Sequence, residues 1–141
     1  MVRDHEIRAF RYSETLTLGV YHATDTWPRE SGETLAGRLR LVTPAISDSI
    51  LDGCSWSGPS ARSAWRTAAR LLERLSDLLD QADRLGLLDP ESALELLEAQ
   101  SGALMEILFI LEEEPSSILP LTSERHSTTK TEAENELRRA A

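Results

Sequence analysis

The clearest pattern in the chain runs from Ala61 to Ala82. Ala61, Trp65, Ala68, Leu72, Leu75, Leu79 and Ala82 recur at alternating steps of four and three. Ala64, Leu71, Leu78 and Leu85 form a second column beside them. A broad apolar face lasting more than three heptads predicts a bundle helix. Gly86 closes it. A second stripe, Leu35, Leu39, Val42, Ile46 and Ile50, predicts a helix from about Glu33 to Asp52. Pro44 lies inside it and is expected to kink or split it, with Gly53 as the stop. Arg29 to Gly32 reads as a polar link before it, and Cys54 to Ser60 as a loop holding Gly58-Pro59.

The two ends of the patterned region read differently. Asp89-Pro90-Glu91 is a strong helix start: a cap, a proline at the first helical position and an acid in the first turn. The helix is expected to reach Glu113, with Leu94, Leu97, Ser101, Leu104, Leu108 and Leu111 on its face and Ile107 and Ile110 beside them. Gly102 weakens it unless a close contact needs a glycine. Glu112 to Glu114 oppose its dipole. The first segment is ambiguous. Leu16, Leu18 and Val20 alternate with polar residues as in a strand, yet Phe10, Ser13, Leu16, Val20 and Ala23 fit a helical face. It should stop at Trp27, before Pro28.

These elements predict an all-α, antiparallel four-helix bundle over residues 1–114. The remainder, 115–141, is rich in Ser, Thr and Pro and reads as a disordered tail, with a transient helix over Thr131 to Arg139. A length of 141 residues suits one domain, and 40% apolar residues suffice for one core.

Charge narrows the partners. The formal net charge is −9, and the tail carries four charges of each sign, so the whole excess lies in residues 1–114. Such a domain repels nucleic acid on average, and any site for it must be a local basic stripe. Cys54 is the sole cysteine, which fits a reducing compartment. With no apolar leader at Met1 and no window approaching the ~20 apolar residues of a membrane span, the expected location is cytoplasmic.

Catalytic chemistry is not legible. The chain has no phosphate-binding glycine loop, zinc spacing or nucleophile elbow. His5, His22 and His126 share no helix turn. Cys54 sits beside Asp52, the wrong sign to activate a thiolate. Carboxylate groups such as Asp77 with Asp80, or Glu91 with Glu95 and Glu98, read as solvated faces. The E-x-x-H pattern of di-iron bundles is missing. No cofactor, metal or enzymatic activity is expected.

One polar feature does invite a function. Arg62, Arg66, Arg70 and Arg74 repeat every four residues, a basic stripe roughly 18 Å long at the helical rise. Arginines at that spacing suit contact along a phosphate backbone. The alternative is pairing within the helix, Arg70 with Glu73 and Arg74 with Asp77, or pairing between subunits. Arg38 and Arg40 are candidates to extend the patch.

From Tyr21 to Leu111 the order of motifs resembles the bacterial four-helix-bundle proteins encoded in ribosomal-RNA intervening sequences. That fold includes Avd, the accessory subunit of diversity-generating retroelements. Val20-Tyr21 through Trp27-Pro28 is similar to the end of the family's first helix. Leu35 and Leu39-Arg40 are similar to its second-helix pattern, and Ile46 to Gly53 to its I-P-A-N-I-A-E-G signature. Leu72, Leu75 and Ala82 to Leu88 are similar to its third helix and turn. Ser47, Ser49 and Asp52 depart from that signature, as do Arg70-Leu71 and Arg74 from the family's third helix. The resemblance favours helix for the first segment. It implies a five-fold homo-oligomer and a non-enzymatic scaffold for a reverse transcriptase, RNA or DNA. The arginine stripe is the contact expected for that role; the alternative is a protein–protein scaffold with no nucleic-acid contact.

Overall fold

The computed structural model describes residues 2–113 and 130–140, the side chains of residues 30–33 excepted. All regular structure among the described residues is helical: α1 (Asp4–Thr24), α2 (Arg29–Ser55), α3 (Gly58–Arg84), α4 (Pro90–Glu113) and α5 (Lys130–Ala140). The first segment is therefore a helix. Its Phe10, Ser13, Leu16 and Val20 are buried, while Leu18, the middle member of the apparent strand alternation, is exposed.

α1 opens with a buried acid. Glu6 accepts the Arg3 backbone N–H at 3.0 Å and lies 3.3 Å from Arg3 Nε. A buried carboxylate is tolerated because an exposed helix end supplies both donors. The helix ends at Thr24, whose hydroxyl donates to the Val20 carbonyl at 2.7 Å. Pro28 then stands in extended conformation as the cap of α2.

Four sequence expectations for α2 and its exit are corrected, that for Pro44 in its splitting of the helix only. Arg29 to Gly32 is not a link, because α2 already starts at Arg29. Pro44 does not split α2, which runs unbroken for 27 residues. A proline forfeits one helical hydrogen bond, but Pro44 lies on the exposed side while Leu39, Val42, Ile46 and Ile50 are all buried and hold the helix on the core. Gly53 does not end α2; it lies in the last turn beneath Trp65. Cys54 and Ser55 are buried helical residues, and the connection to α3 shrinks to Trp56 and Ser57.

α3 follows the sequence reading closely. All seven positions of its main stripe are buried, and Trp65 is among the largest fully buried side chains. Its end is a hydrogen-bonded reversal. Gly86 adopts φ +72, its N–H reaches the Asp83 carbonyl at 3.0 Å, and Leu87 N–H reaches the Ala82 carbonyl at 3.0 Å. Glycine meets the left-handed turn without Cβ strain. Asp89 then caps α4, accepting the Ser92 backbone N–H at 2.8 Å and the Ser92 hydroxyl at 2.9 Å.

α4 presents a different face from the expected one. Leu96, Ala99, Gln100, Ala103, Ile107 and Ile110 are buried, whereas Leu94, Leu97 and Leu108 are exposed. The helix is apolar nearly all round, so periodicity alone could not choose. Small residues decide it. Gly102 lies so close to the Tyr12 ring that an added Cβ would sit 2.5 Å from it, and Ala99 and Ala103 share that side. Gln100 Nε2 donates to the Leu72 carbonyl at 3.0 Å, fixing α4 against α3.

Each of the four long helices touches two others: α1 packs on α2 and α4, and α3 packs on α2 and α4. The start of α1 meets the end of α4, where Arg8 Nε lies 2.6 Å from Glu106 Oε1. Near its end, Gly19 faces Leu96 at the start of α4. Arg62, early in α3, donates to the Leu111 carbonyl at 2.8 Å near the end of α4.

The disordered tail expected over 115–141 is corrected in part. Lys130–Ala140 forms α5, with Ala133 and Leu137 buried against α2 and α1. Two apolar residues four apart bury nothing alone; they need a groove that other helices have already made. Polar contacts fix its ends. Arg138 Nη1 donates to Glu14 Oε2 at 2.9 Å, and the Val2 N–H to Glu136 Oε1 at 2.7 Å. Lys130 Nζ lies 3.1 Å from Asp52 Oδ1, an ion pair without hydrogen-bond alignment. Residues 114–129, the rest of the expected tail with His126, lie outside the described residues, as does Ala141.

The Gly53 contact has a measurable consequence. Gly53→Ala pushes a methyl group into the Trp65 indole and is expected to cost about 1–3 kcal/mol. Gly37→Ala, at a position with no heavy atom within 4 Å, should instead stabilise by roughly 0.5–1 kcal/mol through helix propensity. Urea unfolding of both variants decides; shifts of the same sign would refute the close approach.

Candidate interaction surface

The arginine row belongs to α3, whose core stripe fixes its outward direction. A step of four residues advances about 40° around a helix, so the row winds slowly across the surface. Its first member is occupied. Arg62 is half-buried and hydrogen-bonded to the Leu111 carbonyl, supplying a donor to the last turn of α4, where uncapped carbonyls need one. Arg66, Arg70 and Arg74 are exposed. Arg70 Nη2 donates to Thr67 Oγ1 at 3.2 Å. The expected pairs Arg70–Glu73 and Arg74–Asp77 do not form among the described residues, where the intrahelical ion pair of α3 joins Arg84 to Asp80 at 2.6 Å. Three guanidinium groups thus remain turned to solvent.

Arg38 and Arg40 do not extend this row as a unit. Arg40 Nε donates to Thr24 Oγ1 at 2.8 Å, Nη2 lies 3.4 Å from Asp25 Oδ1, and its guanidinium carbon stands 5.1 Å from the Tyr21 ring centroid. It ties α2 to the end of α1. Arg38 is exposed on α2. Arg66, Arg70 and Arg74 are therefore the members of the row left exposed, and Arg38 is exposed on a different helix.

A cluster that periodicity could not reveal joins α1 to α4. His5 Nδ1 lies 2.8 Å from Glu106 Oε2, Arg8 Nε 2.6 Å from Glu106 Oε1, and His5 Nε2 3.6 Å from Glu113 Oε1. The His5 ring stacks on Phe109 at 5.2 Å. Burial pushes the Glu106 carboxyl up, but the hydrogen bonds from His5 and Arg8 outweigh it and hold it below the ordinary carboxylate range. His5 and Glu106 are 101 positions apart, so only the tertiary fold makes this contact. Its chemistry is that of a clamp, since each carboxylate oxygen of Glu106 lies against a nitrogen of α1, Arg8 Nε or His5 Nδ1.

Elsewhere, a shallow hollow at the α2–α3 turn is lined by Ser55, Trp56, Ser57 and Ser60, with no acid or base among them. Among the described residues no group of three or more His, Cys, Asp or Glu is placed to hold a metal ion. Among them, too, no helix is long and apolar enough to cross a membrane. Comparison with protein-family models, with curated proteins and with solved structures found no match.

The Glu106 clamp makes stability depend on pH in a definite direction. Its folded pKa lies below the ordinary value of 4.5, so its contribution is present above that pH and lost as pH falls through the folded value. Asp89 acts with the same sign, its carboxyl lowered by the Ser92 hydrogen bonds. Thermal melts of the wild type and Glu106→Gln from pH 6 to pH 3 should converge at the acid end. Parallel curves would exclude the clamp.

Proposed function

We propose that this chain is a non-catalytic accessory subunit that works by binding, resembling Avd. In this reading the four long helices form an antiparallel four-helix bundle. Copies of the chain assemble, as five in a ring according to the resemblance, and scaffold a reverse transcriptase, RNA or DNA in the cytoplasm. The supporting observation is the exposed row Arg66, Arg70 and Arg74, none of which has an ion pair among the described residues. Side chains that long lose entropy when held in place, and an unpaired cationic row on an acidic domain is most useful against an external anion. The spacing offers one guanidinium about every 6 Å along the helix. Each can engage a phosphate or carboxylate with two parallel hydrogen bonds.

A protein–protein scaffold without nucleic-acid contact is the second reading. It is supported by the −9 charge of the chain, all of which lies in residues 1–114. There the arginine row meets an acidic protein surface instead.

Labelled structured RNA and duplex DNA, titrated with the purified protein across a salt series, separate the two. The first reading expects binding that weakens steeply with salt, since each neutralised phosphate adds about 0.9 to the logarithmic slope on duplex DNA. Arg66→Glu with Arg70→Glu should abolish it and leave the melting temperature within a few degrees. Arg62→Glu should instead lower the melting temperature, because it removes the donor to the Leu111 carbonyl. An absence of binding at low salt rejects the first reading in favour of the second.

A further inference from the structure

The face that α4 turns away from the core is apolar. Leu94, Leu97, Met105 and Leu108 are 60%, 42%, 62% and 52% exposed, with Phe109 at their edge. Ser101 lies exposed at their centre. They recur at steps of three and four, so they form one stripe opposite Ala99, Ala103, Ile107 and Ile110 in the core. The stripe spans roughly 21 Å. Isolated exposed leucines are ordinary; a continuous row along a helix marks a covered surface.

The order of the row identifies the cover. It reads nearly the same in both directions about Ser101: Leu97 and Met105 lie four residues either side, and Leu94 and Leu108 seven either side. Two copies of α4 crossing antiparallel at Ser101 therefore set Leu94 against Leu108, Leu97 against Met105, and serine against serine where the backbones come closest. Such self-complementarity is what a two-fold interface requires. About that axis Glu112 falls opposite Pro90, at a helix N-terminus that favours an acid, while Glu113 falls opposite the capping Asp89 at the end of the helix. Glu98 falls opposite Leu104, so that acid does not meet another acid. Facing stripes remove on the order of 1,000 Å² in total, the lower limit for a specific interface.

We propose that α4 pairs with α4 of a second copy of this chain, antiparallel about a two-fold axis at Ser101. This deepens the self-assembly part of the proposed function and is independent of the arginine row. A two-fold contact gives an even number of copies: two alone, or ten where it joins two five-fold rings.

Light scattering and oxidative cross-linking of the full chain test this. The wild type should have the mass of an even number of protomers. Leu97→Glu with Met105→Glu should halve it without lowering the melting temperature, because both side chains are exposed. Ser101→Cys should yield a disulfide-linked dimer when an oxidant is added at micromolar protein, and Met105→Glu should suppress it. The native Cys54 is buried and does not compete. Ser63→Cys, exposed on α3, controls for random collision. A monomer, five protomers unaffected by the glutamates, or cross-linking no faster than the Ser63 control overturns the pairing. Five unaffected protomers would leave the ring and the nucleic-acid role standing. A pair that binds no nucleic acid would leave only the pairing.

Discussion

The seating of the Trp65 indole on Gly53 sets the distance between α2 and α3, and the remaining packing follows from it. A side chain of any other residue at position 53 would occupy the volume the ring needs. Ala61 and Ala68, one turn either side of Trp65 on α3, and Ile50 and Cys54, beside Gly53 on α2, are all buried. Tight interiors transmit such a contact outward, because a core at close-packed density has no slack to absorb a shift. Tyr12 on Gly102 does the same for α1 and α4. Two aromatic rings on two glycines thus hold two pairs of helices, and Gln100 to the Leu72 carbonyl locks the pairs together.

Polar contacts then settle what apolar burial leaves loose. The Glu106 clamp with His5 and Arg8 closes α1 on α4. Arg40 closes α2 on the end of α1, and Arg62 donates to the end of α4. Those arginines are consumed by structure, and it is their commitment that sets Arg66, Arg70 and Arg74 apart. Among the described residues a cationic row on α3 and an apolar row on α4 stay exposed, and on these rest the proposed partner binding and the proposed pairing.

α5 shows how composition misleads when burial is borrowed. Only Ala133 and Leu137 enter the core, and ion pairs to Glu14 and Asp52 hold the ends. Judged by its own residues the segment is too polar to order; judged with the groove of α1 and α2 it has enough to dock.

The sequence by itself determined the helices that have one apolar face. The stripes of α2 and α3, the Asp89 cap and the Gly86 reversal all rest on local periodicity or local backbone chemistry, which neighbouring residues encode. The outward direction of Arg66, Arg70 and Arg74 follows from the same stripe. The tertiary structure alone decided the rest. Which side of α4 is buried depended on Gly102 admitting the ring of Tyr12, a residue 90 positions away. Pro44 stays helical because the buried residues around it outweigh one lost hydrogen bond. Gly53 reads as a stop until Trp65 is beside it. The partners of Arg62, Arg40 and Glu106 come from other helices, and no local pattern records a contact that only packing creates.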